Sequence, residues 1–356
     1  MSTPQNETLK RTLGMREAVT ITVGTVVGVG LFTTGAQIVG SMGSAVILAT
    51  FMAMVISVYP SHLYAEMSAA LPFAGGTYKY AQLGLGKAAG MLAGWNFIAS
   101  LVAVTSGEAL AFSFYFKTLF RAFGVELPIS DVLLAAIPIV LFIVTNIHGT
   151  EMTGRLQNGF MFFFWGVAII WALMMIPNIH LPSYMVLPES MNGLSGWSFI
   201  GMVAMIWWCF AGFETCCALG EEIKHPRINL PRALKLAAAL GLRKRHPELG
   251  RPYKAPLIEV GVPVSILIYA IMLFQLDRYA IVSGIIWCVV GLVVYYICHA
   301  KYGDSNILNI NDSITDEAPP SPEERAKMDK EYLLWKSIVA AFCIIAVLLY
   351  VIPLIF

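Results

Sequence analysis

Charge is scarce in this sequence: Asp, Glu, Lys and Arg make up 13% of its 356 residues, about half the share of a soluble domain. That scarcity, with 58% hydrophobic residues and a mean hydropathy of +0.72, excludes an ordinary soluble protein. The net charge of +1 comes with no basic patch of a kind that suggests nucleic acid, so nucleic acid is not an expected partner. No HExxH, nucleophile elbow or phosphate loop is present, and neither an enzyme nor a cofactor is expected. The six cysteines lie in or beside apolar stretches, and the adjacent Cys216 and Cys217 have no partners at metal-binding spacing. They read as buried free thiols, and no metal site is expected. The opening MSTPQNETLKRTLGM has no short apolar core, so a cleavable signal peptide is not expected there and the first span is expected to direct insertion.

What is abundant is apolar sequence in long runs. Spanning a bilayer takes about 20 mostly apolar residues, and nine stretches qualify: 19–39, 45–70, 89–116, 132–147, 159–176, 197–219, 257–275, 279–299 and 332–355. Cytoplasmic loops collect Lys and Arg. With the N-terminus inside, 20 of the 23 basic residues fall on the inner side, leaving Lys117, Arg121 and Arg278 outside. The expected fold is therefore an all-α polytopic membrane protein with the N-terminus in the cytoplasm and the C-terminus outside. It belongs in a plasma or bacterial inner membrane, with the lipid bilayer as its surroundings. The polar stretch 304–329 reads as a flexible cytoplasmic loop.

The first span contains VGTVVGVGLF, residues 23–32, with Gly24, Gly28 and Gly30 where better helix formers would be stabler. Gly24 and Gly28 could form a packing face for another helix. Gly28 and Gly30 within one turn point instead to an interrupted helix, whose freed backbone groups must be buried in protein or line a cavity. Amide groups at the start of a half-helix suit a carboxylate. A dinucleotide fingerprint is rejected because no strand precedes the glycines. Transporters built from inverted repeats need a matching break in the second half, and the sixth span offers Trp208, Phe210, Ala211 and Gly212, followed by Glu214. An acid there either braces the broken backbone or binds substrate. Glu108 in the third span either faces substrate or sits near the outer mouth, solvated or hydrogen-bonded to Ser106 or Thr105. His62 and Glu66 read as structural.

These stretches resemble the amino acid–polyamine–organocation permeases. VGTVVGVGLF is similar to that family's first-span motif. YAEMSAALPFAGGTYKYAQLGLG (64–86), NIHGTEMTGRLQN (146–158), FAGFE with EEIKHPRINLPRA (210–233) and RKRHPELGRPYKAP (243–256) resemble its later signatures. The resemblance implies two inverted five-helix repeats with substrate held between spans one and six. The substrate carboxylate would meet the amides of Val29 and Gly30, with Gly28 allowing the turn. The ammonium would meet carbonyls near Val26, Trp208 and Ala211. Trp208 would be an aromatic gate or an ordinary packing residue, and Glu214 and Glu108 are the further gate or coupling candidates.

Two departures qualify the resemblance. The family's spans seven to ten are missing between Leu230 and Arg243, so the second repeat keeps only its first helix; residues 234–240 are expected to form a short interfacial helix. The fifth span lacks the lysine of some proton-coupled relatives, with Phe164 about where it would stand, which favours exchange or facilitated movement over proton symport. The expected organisation is an N-terminal segment 1–18, a first repeat 19–177, a sixth span and shortened second repeat 197–240, two further spans 241–299, a loop 300–331 and a final span 332–356. The expected function is secondary-active transport, by exchange or symport, of an amino acid or related amine. The alternative is a truncated, transport-incompetent chain or a partner subunit, and the ending at Phe356 without a polar tail reads as a further truncation. Oligomeric state stays open.

Overall fold

The structure is a computed structural model that describes residues 11–28, 34–43, 45–72, 75–175, 196–234, 254–302 and 319–355. Among them the regular structure is helical, with one isolated parallel bridge between Leu13 and Ile223. The α-helices are α1 (Met15–Val27), α2 (Thr34–Met42), α3 (Ala45–Ala70), α4 (Gly76–Leu85), α5 (Lys87–Ala122) and α6 (Asp131–Ile147). They continue with α7 (Thr150–Met175), α8 (Gly196–Trp207), α9 (Pro226–Leu234), α10 (Ile258–Leu273), α11 (Arg278–Tyr302) and α12 (Pro322–Ile355). Short 3-10 turns at Trp208–Phe210 and Phe213–Ala218 follow α8. The chain is thus an all-α, polytopic membrane protein. Ala45–Ala70, Lys87–Ala122, Gly196–Ala218 and Arg278–Lys301 are long and apolar enough to cross a bilayer, and α6 and α10 are shorter apolar helices of 17 and 16 residues.

A helix stands at each of the nine expected positions, yet several run past their apolar stretch. The third span continues to Ala122, and the fifth begins at Thr150 rather than 159. The last begins at Pro322, so the loop expected over 304–329 is helical from 322 onward. The cause is a reciprocal cap: the Glu324 amide donates to Ser321 Oγ at 3.2 Å, and the Ser321 amide donates to Glu324 Oε2 at 3.0 Å. Of the interfacial helix expected over 234–240 only Leu234 is described, as the last residue of α9; the 177 end of the first repeat and the 240/241 boundary lie outside the described residues, and the sixth span begins at Gly196.

Buried side chains fall into two clusters. The first gathers Leu13 and Ala18 of the first span, Leu63 and Met67 of α3, and Cys216, Cys217, Ile223 and Leu230 from the region after the sixth span's break. The second gathers Ile38 and Met42 of α2, Ala49 and Ala53 of α3, and Val203 and Ile206 of α8. α3 runs through both. Each half of the first and sixth spans belongs to a different cluster, so both interruptions fall between them. Cys216 and Cys217 are buried free thiols, whereas Cys298 is exposed.

Glu66 is fully buried in α3 and accepts the Ala255 amide at 2.7 Å. Nearby, Tyr59 donates its hydroxyl to the Pro256 carbonyl at 3.2 Å. Together they seat the segment leading into α10 on the middle of α3, which agrees with the structural reading of Glu66.

Candidate functional site

α1 ends where the sequence places its glycines. The Gly28 amide donates to the Gly24 carbonyl at 3.2 Å, and Gly28 then leaves the helix at φ 22°, ψ −176°. The next described residues, from Thr34, are helical and form α2. The two glycines have different roles. A side chain at Gly24 would collide with Gln157 and lie 3.2 Å from Met161 Sδ, both on α7. Gly24 is therefore a packing notch, and Gly28 is the break.

The sixth span breaks more completely. α8 stops at Trp207, a 3-10 turn follows, Ala211 is extended (φ −76°, ψ 159°), and Gly212 adopts a left-handed conformation at φ 106°. Glu214 turns back so that Oε2 accepts the Gly212 amide at 3.1 Å, and Thr215 Oγ1 donates to the Gly212 carbonyl. Of the two readings for Glu214, this contact is the bracing one: a carboxylate satisfying an amide that the broken helix cannot.

The two breaks both approach Thr25, with no Cβ on either glycine. A Cβ on Gly212 would sit 2.9 Å from Thr25 Cγ2 and 3.1 Å from the Thr25 carbonyl oxygen. A Cβ on Gly28 would sit 3.6 Å from that same oxygen and 2.8 Å from Glu108 Oε1. Thr25, one turn before the break, thus lies between the two glycines, while the Glu108 carboxylate comes across from α5 to the place where α1 opens. Nothing in the sequence marks Thr25; its role follows only from the two glycines being neighbours in space.

At the far end of α1, a second polar assembly fixes the helix. Thr20 Oγ1 donates to Asn158 Oδ1 at 2.5 Å, and Asn158 Nδ2 donates to Glu17 Oε1 at 2.8 Å. Glu17 Oε2 also accepts the Gly14 amide at 2.9 Å. Before α1, the Thr12 and Leu13 amides both donate to the Glu222 carbonyl at 3.0 Å, and the Lys224 amide donates to the Leu13 carbonyl at 2.7 Å. Sequence reasoning missed this network, although Asn158 closes one of the quoted signature stretches.

The structure therefore brings together Gly28, Glu108, Gly212 and Glu214 of the sequence candidates, with Val26 on the last turn of α1 and Phe210 and Ala211 leading into the second break. Trp208 is 51% exposed, whereas its neighbour Trp207 packs on Tyr269 of α10, with ring centroids 5.1 Å apart. Val29 and Gly30 lie outside the described residues. No group of three or more His, Cys, Asp or Glu placed to hold a metal occurs among the described residues.

Two spans that break at glycine beside one another, in an otherwise helical and apolar chain, define a broken-helix membrane protein of transporter architecture. Residues 13–242 match the amino acid permease family, and the chain belongs to it. Curated relatives include an uncharacterized transporter of Mycobacterium tuberculosis, 27% identical over 240 residues that cover 66% of this chain and 50% of the relative. The methylthioribose transporter of Bacillus subtilis is 24% identical, covering 66% and 53%. A branched-chain amino acid permease of Lactococcus lactis is 25% identical, covering 62% and 51%. The chain spans about half the length of the curated relatives it matches.

Proposed function

We propose that the paired breaks bind an amino acid or a related amine, and that the chain moves it across the membrane by secondary-active exchange or symport. The observation that carries this reading is the meeting of Gly28 and Gly212 at Thr25, where two interrupted spans approach through glycines and the Thr25 carbonyl. Such backbone is tolerated inside a membrane where it is buried or lines a cavity. Glu108 adds a sign to the site. Its carboxylate abuts Gly28, so an anionic group held beside Gly28 is opposed by it, while an ammonium or cationic side chain is favoured. The substrate's ammonium accordingly lies towards Val26, Gly28 and Glu108, and its carboxylate towards the amides of Val29 and Gly30 and the amino end of α2. Trp208 and Phe210 border the second break, and Ala211 and Gly212 provide its carbonyls and turn. The relatives' names, which include an amino acid permease and a methylthioribose transporter, support small polar substrates. We place the N-terminus in the cytoplasm from the distribution of Lys and Arg.

A second reading, a chain that binds without transporting, is favoured by a specific observation. The match covers only about half of its relatives' length, and Trp208 beside the break is half exposed rather than covered. Both readings are tested by reconstituting the purified chain in liposomes and measuring uptake of labelled basic and branched-chain amino acids against preloaded substrate. Uptake above empty liposomes, reduced about tenfold or more by Glu108→Gln, is the expected result. Saturable binding without uptake would establish the second reading, and absence of both would overturn the two together.

A further inference from the structure

The cytosolic stem of α12, residues 322–331, belongs to neither break, yet it lies against the seam formed by Leu13, Ile223 and α9. Arg232 at the end of α9 forms an ion pair with Asp329, and its guanidinium carbon stands 5.2 Å from the centre of the Tyr332 ring. One turn earlier, Lys224 and His225 lie close enough to Glu324 to lower its pKa, after the larger effect of its hydrogen bonds with Ser321. Between stem and seam is a cleft of about 430 Å³ that includes Thr12, Arg16, Arg155 and Lys327. Several of its charges are engaged within the protein: Arg155 with Glu151 at 2.6 Å, Glu17 with Asn158, and Glu324 with Ser321. This is the pattern of a contact between two parts of the chain rather than of a vacant ligand site.

The seam beneath carries its own cost. His225 is held at φ 46° immediately before Pro226, a combination that proline disfavours. Thr12 Oγ1, Glu222 Oε2, Asn229 Oδ1 and Arg232 Nη1 are buried without a hydrogen-bond partner among the described residues. Each such group destabilises the closed seam relative to a wet, open one. The backbone bridge of Leu13 with Ile223 is only one residue pair long. A short bridge over unsatisfied polar atoms needs an additional contact to stay shut.

We propose that the stem of α12 is a strap which holds this seam closed, with the Arg232–Asp329 pair as its clasp, so that α1 swings away from α9 only when the clasp releases. Its consequence for transport rests on the function proposed above, but the clasp is testable without any substrate. The test is hydrogen–deuterium exchange of the Leu13 and Lys224 amides, both of which donate within the bridge, measured on the whole chain in lipid nanodiscs. Asp329→Asn and Arg232→Gln should each speed their exchange by roughly three- to tenfold, with α5 and α6 amides unchanged. The double charge reversal Arg232→Asp with Asp329→Arg should bring the rate back towards that of the unaltered chain. Raising salt from low to about 1 M on the unaltered chain should loosen the same two amides, an arm that does not depend on any variant folding. Exchange insensitive to salt and to both single substitutions would overturn the strap, and so would a double reversal as fast as the singles. Loosening without any effect on uptake would leave the clasp standing and remove its role in transport.

Discussion

An alanine at position 212 would place its methyl 2.9 Å from Thr25 Cγ2 and 3.1 Å from the Thr25 carbonyl oxygen, on a residue whose φ is 106°. The left-handed backbone alone costs a non-glycine residue about 1–2 kcal/mol, and the approach to backbone atoms leaves no flexible partner to yield. Gly212→Ala should therefore lower the thermal midpoint of the purified chain by several degrees and abolish substrate binding. Gly107→Ala is the matched control. That glycine sits within α5 with nothing within 4 Å of its Cβ position, and helix propensity predicts a gain of about 0.5–1 kcal/mol. The glycines of the first span were visible in the sequence, with Gly28 read as part of a break, but the partner that Gly24 packs against was not. Gly24 accommodates Gln157 and Met161 from a helix more than 130 residues away, and no local pattern distinguishes that from a break. Gly76, in one of the signature stretches, needs both its φ of 43° and its approach to the Cys217–Ala218 backbone at 3.0–3.1 Å.

Helix ends were the least legible elements, because hydrophobic runs mark what lipid covers and not where hydrogen bonding stops. α6 shows how polar residues set an end. Ser130 Oγ accepts the Leu133 amide at 3.2 Å as an N-cap, and Asp131 in the first turn pairs with Lys117 of α5 at 2.7 Å. Ser130→Ala should cost about 1 kcal/mol, read as a lowered midpoint in thermal unfolding. Lys117 donates a hydrogen bond to Asp131 and, with Ser113, holds that carboxyl below its ordinary value of 3.8. A carboxyl whose folded pKa is depressed stabilises the fold above its unfolded pKa and loses that contribution as pH falls through the folded value. The α5–α6 contact should thus be insensitive to pH above about 4–5 and weaken only below about 3.8. Asp131→Asn should erase that acid dependence, which unfolding midpoints measured across pH 2–6 would reveal. A dependence that survives the substitution would assign it to other carboxyls.

Across the whole molecule, the two buried clusters explain why paired breaks are stable here. α3 is continuous and joins both clusters, while the first and sixth spans give one half to each. This division follows from the sequence once the breaks are located, since apolar residues continue on both sides of Gly28 and of Gly212. The seam of Leu13 with Ile223, the Glu17–Asn158–Thr20 network and the strap of α12 were not legible. Each joins residues far apart in sequence through backbone amides or single polar side chains, which leave no periodic signature. The match to about half of each curated relative's length is equally a property of the whole chain, and it makes binding, rather than transport, the sharpest test of the site.

That test is equilibrium binding of labelled amino acids and amines to the purified chain in lipid nanodiscs, for the unaltered protein, Glu108→Gln and Gly212→Ala. The account predicts saturable binding of a ligand bearing an ammonium group, weakened about tenfold by Glu108→Gln and lost with Gly212→Ala. Saturable binding that both substitutions leave unchanged would contradict it.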